Sequence, residues 1–272
     1  MGKLLINTGQ YVHKLYLYDG RLTCCSDDPL PRELGHPLAG QHPKNQQIFG
    51  GPGGGMSSPQ SRSNDRPTAI CNMDIPQTIV VEKDARVDIV LVVFPDVDCD
   101  IRMDVRLVGE GAEANIYGAY VCGGSEKVKI AVDMYHDVPH CNSRQLFKGI
   151  AGGASKVDFY GKIIVAQDAQ KTEAYQENHN LLLSDGAKVD TKPQLEIYAD
   201  DVKCSHGATI GRLNEEEQFY MRSRGISLED AKVLQMISFV APVLENVEDE
   251  AQREAIAADL ETAIRNLVKT TL

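Results

Sequence analysis

The sequence has no tryptophan and only six phenylalanines among its 272 residues, and aromatic residues make up 6% of it. This scarcity favours a core of stacked aliphatic side chains. Long apolar runs are also missing. The longest uncharged ones, such as Ile89 to Phe94, fall far short of the ~20 residues a membrane-spanning helix needs. There is no surplus of positive charge: 28 Lys+Arg stand against 39 Asp+Glu, for a formal net charge of −11. That balance excludes a general polyanion binder, because phosphate contacts need an excess of Lys and Arg. No C-x-x-C occurs among the seven cysteines, Cys24, Cys25, Cys71, Cys99, Cys122, Cys141 and Cys204. Their odd number and irregular spacing indicate neither a disulfide framework nor a zinc ribbon. They read as small buried apolar residues.

Hydrophobic residues amount to 42% and charged residues to 25%, close to an ordinary globular average. A sizeable core is expected, built from Val, Ile, Leu and Ala, in one long domain or two moderate ones. The opening Met1-Gly2-Lys3-Leu4-Leu5-Ile6 has an apolar stretch of three residues before Asn7, too short for a secretory signal. Ile6 stands where a myristoylation motif takes Ser or Thr. A cytoplasmic protein with no membrane or nucleic-acid partner is expected.

Three compositional zones divide the chain. Residues 1–67 open with strands at Leu4–Ile6 and Tyr11–Tyr18, then pass into a Gly/Pro/Ser-rich stretch from Asp27 to Pro67. Gly50-Gly51-Pro52-Gly53-Gly54-Gly55 within it reads as a flexible linker, since no Lys-Ser/Thr pair follows to make a phosphate loop. Residues 68–213 form a succession of short strands: Thr78–Val81, Val87–Phe94, Ile101–Val108, Ala114–Val121, Val128–Tyr135, Val157–Val165, Glu173–Leu183 and Val189–Tyr198. Strand entries at Val87, Ala114, Val128, Val157, Thr172 and Val189 are 27, 14, 29, 15 and 17 residues apart. These steps are one or two units of a loose period, the mark of a solenoid. Hairpin dipeptides are scarce, Asp19-Gly20 and Asp185-Gly186 alone, so a parallel β-helix fits better than a sandwich. Stacking of like side chains on successive rungs would account for the aliphatic core.

Residues 214–272 change to a helical period. Asn214 is an N-cap before Glu215-Glu216-Glu217, and the helix Glu215–Ser223 ends at Gly225. Ser227, with Asp230 in the capping-box position, starts a second helix whose stripe is Leu228, Ala231, Leu234, Ile237/Ser238 and Ala241. Pro242 is expected to end or kink it. A third helix, from about Glu248 to Lys269, shows Ala251, Ala255, Ala258, Ala263, Ile264, Leu267 and Val268 on one face. From Asp200 to Leu272 there are 14 acidic and 8 basic residues, so much of the acidity sits here. The helices would cap the end of the coil or pack on its flank, and their amphipathic faces could dock a partner.

No Walker loop, HExxH, nucleophile elbow or dinucleotide fingerprint occurs. His136-Asp137-Val138-Pro139-His140-Cys141 is the densest cluster of soft ligands. It reads as a turn around Pro139 with side chains stacked inside the coil, against the alternative of a transition-metal site. Cys204-Ser205-His206-Gly207 is a second cluster. Residues two apart in a strand point the same way, so Cys204 and His206 could offer thiolate and imidazole to one metal, with the remaining ligands from a partner. Gly207 would let the backbone turn directly afterwards. Gln176, Asn178 and Asn180 alternate along one face and could form amide ladders inside a parallel coil.

Several segments resemble a known family. They are Asp168-Ala169-Gln170-Lys171-Thr172, Ala174-Tyr175-Gln176, Asn180-Leu181-Leu182-Leu183-Ser184, and the run from Lys192-Pro193-Gln194-Leu195-Glu196 through Cys204-Ser205-His206-Gly207 to Thr209. His140-Cys141 and Phe219-Tyr220-Met221-Arg222-Ser223-Arg224-Gly225-Ile226 belong with them. Together they are similar to the SufB/SufD scaffolds of the SUF iron–sulfur cluster assembly machinery, densely from about Tyr135 to Leu228 and recognisably from Asp74 to Ala241.

The resemblance implies a mainly β protein, a right-handed parallel β-helix followed by a C-terminal α-helical segment. It implies a non-enzymatic scaffold in complex with SufB-like and SufC-like subunits, ATP hydrolysis belonging to SufC. The family's interface histidine falls on His206, with a nearby thiol at Cys204, and a transient Fe–S cluster or iron would sit there at the partner interface, not in the isolated chain. SufC would dock on Ser227–Ala241, through Ser227, Leu228, Ala231, Leu234 and Ile237. A homodimer is expected for the chain alone. Family members carry an N-terminal helical domain and more coil, so this chain reads as a short or internally deleted form. Two other classes stand as alternatives: a cytosolic homo-oligomeric β-helix scaffold without a metal role, and a β-helix carbohydrate-active enzyme, disfavoured by the acidic balance.

Overall fold

A computed structural model describes residues 77–271 continuously and, before them, four strands at 3–6, 12–18, 21–24 and 69–71. The Gly/Pro-rich stretch from Asp27 to Pro67 lies outside the described residues.

Among the described residues fourteen strands precede three helices. The strands are β1 (Lys3–Ile6), β2 (Val12–Tyr18), β3 (Arg21–Cys24), β4 (Ala69–Cys71), β5 (Thr78–Val81), β6 (Arg86–Val93), β7 (Val97–Leu107), β8 (Glu113–Cys122), β9 (Lys127–His136), β10 (Asn142–Ala151), β11 (Lys156–Val165), β12 (Glu173–Leu182), β13 (Lys188–Ile197) and β14 (Lys203–Gly211). From β5 onward successive strands alternate between two sheets, one ordered β1-β5-β7-β9-β11-β13 with β4 on β7, the other β14-β12-β10-β8-β6-β2-β3. All pairings are parallel except β2 with β3. The chain therefore winds as a two-sheet β-solenoid of about five turns.

Unbroken register explains the aliphatic core. Val105, Met134, Ile163 and Leu195 are consecutive partners across β7, β9, β11 and β13. The first three are 0% exposed. Each column presents flexible aliphatic surface every ~4.8 Å, a spacing methyl-bearing side chains fill without the bulk of an indole. Outward positions of the same strands alternate to solvent: β9 and β11 both follow a strict buried–unburied pattern.

Four strands are absent from the sequence reading, the short β3 and β4 and the long β10 and β14. The 29-residue step from Val128 to Val157 spans β10, whose inward residues are Ser143, Gln145, Phe147 and Gly149. Their polarity and smallness hide the hydrophobic alternation that marks a strand. The second halves of β6 and β8 are apolar on both faces because helices cover the outer one, at Val90, Val92, Ala119 and Val121.

The helices are α1 (Glu215–Ser223), α2 (Leu228–Leu244) and α3 (Glu250–Thr271). Asn214 caps α1 by accepting from the Glu216 and Glu217 amides, and Gly225 follows its end with φ +90°. Ser227 caps α2, accepting from the Asp230 amide at 3.0 Å. α2 runs two residues beyond Pro242, so the proline sits in its last turn and does not terminate it. The face of α2 buried against the solenoid is Val233, Met236, Val240 and Val243; of the expected stripe Ala231 is buried and Ile237 half-buried, whereas Leu228 and Leu234 are exposed. That of α3 is Ile256, Leu260, Ile264, Leu267 and Val268, with Ala251, Ala255 and Ala258 exposed. Alanine offers little area to bury, so the larger aliphatics set each helix's rotation. These residues pack on Val90, Val92, Ala119, Val121 and Ile150, the outer face of β6, β8 and β10. The helices thus lie on the flank of the solenoid and leave its β13–β14 end uncovered.

Candidate functional site

β13 and β14 each pair with one neighbour, and their other edge is open among the described residues. Pro193 removes a backbone donor from β13, a residue confined to edge strands in sheets. β14 contains no proline and keeps its full row of donors and acceptors.

Cys204 and His206 both lie on β14, in register with Ala174 and Gln176 of β12. Both of those partners are 0% exposed and face the interior, so Cys204 and His206 share the inward face of the last rung. With no rung above them, Cys204 is half-buried and His206 exposed. Burial pushes the Cys204 thiol up from its ordinary range, partly offset by a backbone hydrogen bond from Ala174. It therefore rests as a thiol. Gly207 continues the strand, which runs to Gly211, so the backbone does not turn after His206. Ile210 on the same strand is 46% exposed, and Ile197 at the end of β13 is also exposed.

The residues of the other cluster go to separate places. His136 is fully buried at the end of β9, its Nε2 2.8 Å from Ser143 Oγ. Burial depresses it to about 4, so it is neutral. His140 is exposed in a turn with φ +59°. Cys141 is buried, donates to the Gly109 carbonyl at 3.3 Å, and is pushed up to about 11 by burial. Among the described residues no group of three or more His, Cys, Asp and Glu side chains converges as a metal site. Cys204 and His206 supply at most two ligands.

Beneath the last rung lies a polar interior. Gln176 Nε2 donates to Gln145 Oε1 at 3.0 Å. Tyr120 donates to Asn180 Oδ1, Asn180 Nδ2 donates to Asn178 Oδ1 at 2.6 Å, and Asn178 Nδ2 donates to the Tyr120 oxygen at 3.5 Å. The amide alternation marks Gln176, Asn178 and Asn180; Gln145 and Tyr120 carry no comparable signal in a lone sequence.

A second surface lies on α1 and α2. Phe219 and Tyr220 are 72% and 60% exposed, and Leu228 and Leu234 are also exposed. Tyr220, Met221, Leu234 and Gln235 line an open depression of about 510 Å³ between the two helices. Ser227 is the cap of α2, Ile237 is half-buried, and Ala231 is 0% exposed. Gln218 donates to Gln235, and Gln235 in turn to the Asn214 carbonyl and Glu217, fixing α1 against α2. No helix among the described residues is long and apolar enough to cross a membrane.

Fold and site define a parallel β-solenoid with flanking helices and a last rung that is open among the described residues. The model of the SUF system FeS cluster assembly SufBD core domain matches residues 68–239, and the chain belongs to that family. It is similar to the iron–sulfur cluster assembly protein SufD of Escherichia coli, 50% identical over 153 residues, 56% of this chain and 36% of that protein. A SufBD family protein of Synechocystis is 47% identical over 109 residues, 40% of this chain and 24% of the relative. SufD of Bacillus subtilis is 26% identical over 183 residues, covering 67% and 42%. The chain thus spans less than half the length of these relatives, and the likeness falls on the SufD side of the family.

Proposed function

We propose that the chain is a non-enzymatic scaffold for iron–sulfur cluster assembly in the cytoplasm, joining a SufB-like subunit at its last rung and a SufC-like ATPase on its helices. The observation that carries the reading is the open β14 edge presenting Cys204 and His206 together. An unpaired strand accepts another strand by backbone hydrogen bonding, and the partner would complete both the sheet and the ligand set around a nascent cluster. The cluster is cargo: with a half-buried thiol and one imidazole, this chain binds it weakly until the partner arrives. Copurification with SufB-like and SufC-like subunits, with iron and acid-labile sulfide assayed on the complex, tests this. His206→Ala is expected to lower the cluster content, and full content would remove His206 from the site.

The ATPase contact is assigned to the exposed Phe219, Tyr220, Leu228 and Leu234. Deleting Ser227–Leu272 is expected to abolish capture of the ATPase. That deletion also uncovers Val90, Val92 and Ile150, so Leu234→Lys is the cleaner variant. It alters the surface and leaves the packed face of α2 in place. Capture at wild-type level by Leu234→Lys would move the contact elsewhere. Without a partner, the same β14 edge favours a homodimer, which sizing of the purified chain measures.

A further inference from the structure

The interior beneath the last rung holds a two-membered amide ladder whose ends differ. Gln145 and Gln176 are register partners on β10 and β12, both 0% exposed, and Gln176 Nε2 donates to Gln145 Oε1 at 3.0 Å. Amides stacked along a parallel sheet serve one another in this way, each N–H meeting the carbonyl of the neighbouring rung. Two atoms of the pair are left over, Gln145 Nε2 and Gln176 Oε1, both buried without a partner. On the Gln145 side the register neighbour is Ile116, which has nothing to accept a hydrogen bond. On the Gln176 side the register neighbour is His206. Room for the Gln176 side chain is made by Gly161, where a Cβ would lie 2.1 Å from Gln176 Nε2. A buried acceptor left without a hydrogen bond destabilises the fold, and the register neighbour His206 is able to relieve it.

We propose that Gln176 is a positioning residue for His206: its Oε1 accepts the ring N–H, so that the imidazole extends the ladder by one rung. The ring is then held in one tautomer, its second nitrogen bare and turned out of the open end. Histidines that bind metal commonly donate their other ring N–H to a carbonyl, which fixes orientation and leaves the ligating lone pair available. The role in assembly rests on His206 facing partner and cargo as proposed above; the hydrogen bond itself does not.

The full chain labelled with 15N-histidine separates the two, with His206→Ala assigning the resonances. Wild type is expected to show His206 with one protonated and one bare ring nitrogen. Gln176→Met, of similar length and without an acceptor, should give the averaged pair of a freely exchanging imidazole, and Gln176→Glu should return the fixed proton. In the complex with partner subunits, cluster content should fall roughly tenfold for Gln176→Met, the lower end of losses for such supporting residues, and recover for Gln176→Glu. An averaged His206 ring in the wild type overturns the proposal, and that measurement stands whether or not Gln176→Met folds. Unchanged ring resonances in Gln176→Met overturn it too. Full cluster content in His206→Ala would instead sink the assembly role, with the ring spectrum still deciding the hydrogen bond.

Discussion

The hydroxyl of Tyr120 on β8 donates to Asn180 on β12 across an intervening strand, because the residue between them in register is Gly149. A Cβ at Gly149 would lie 2.0 Å from Tyr120 Cε2 and 2.5 Å from Asn180 Oδ1. A ring that would otherwise belong to one rung thus ties three together.

Gly149→Ala is therefore expected to destabilise the solenoid. Overpacking of this kind costs roughly 1–3 kcal/mol, and separating Tyr120 from its buried partners adds to it. The shift in urea midpoint measures the loss. Tyr120→Phe removes only the hydroxyl and should cost less. Equal stability of wild type and Gly149→Ala would show that Tyr120 can move aside freely.

Acid should weaken the fold through His136. Its ordinary pKa of 6.5 is lowered to about 4 by burial, so the unfolded chain binds a proton there that the folded one refuses. The contribution is complete above pH 6.5 and is lost as pH falls toward 4, by up to about 1.4 kcal/mol per pH unit in that window. His136→Gln keeps a polar group near Ser143 and removes the titration. The difference in unfolding free energy between the two proteins should shrink as the pH is lowered from 7 to 5 by about 1 kcal/mol or more. A pH-independent difference would be inconsistent with a neutral buried ring.

Of Cys99, Cys122, Cys141 and Cys204, the last should be alkylated first. Cys99, Cys122 and Cys141 are 3%, 1% and 0% exposed, and burial raises the thiol pKa of Cys122 and Cys141. Peptide mapping after brief treatment with iodoacetamide should find Cys204 modified roughly tenfold faster, thiolate access being the limiting factor. Partner binding at β14 should protect it.

Ser227→Ala should cost about 1 kcal/mol, the usual loss on removing an N-cap. Ser227 Oγ accepts from the Asp230 amide and donates to Asp230 Oδ2, while Asp230 Oδ1 accepts from Arg265 of α3 at 2.9 Å. The carboxyl of Asp230 lies below its usual range because of its bonds to Ser227 and Arg265. A fall in the thermal midpoint, with the β signal in circular dichroism retained, is the expected outcome.

What was legible in the sequence follows from which signals survive without neighbours. Thr78–Val81 and Glu215–Ser223 were readable to the residue, one from its β-branched run, the other from Asn214, three glutamates and Gly225. β14 was not, because its inward Cys204, His206 and Ala208 have no rung above them and so no apolar pattern to display. The phase of α2 was misread for the opposite reason. With Val233, Met236, Val240 and Val243 on one side and Leu228 and Leu234 on another, more than one apolar stripe exists, and only the sheet beneath selects between them. The same-face placement of Cys204 and His206 followed from strand periodicity alone. Gln145 beneath them did not, since register between strands some thirty residues apart is a tertiary fact.

Every interior strand of the solenoid is held from both sides, whereas among the described residues β14 pairs with β12 alone. In a stack whose energy is a sum over adjacent repeats, the last repeat is the one that frays. The candidate site therefore rides on a terminal repeat, where the closed state is shorter-lived than in the middle of the stack. A second chain laid along β14 would convert an end into a middle, quench that breathing, and register its arrival as slower amide exchange in Lys203–Gly211 before any metal is loaded.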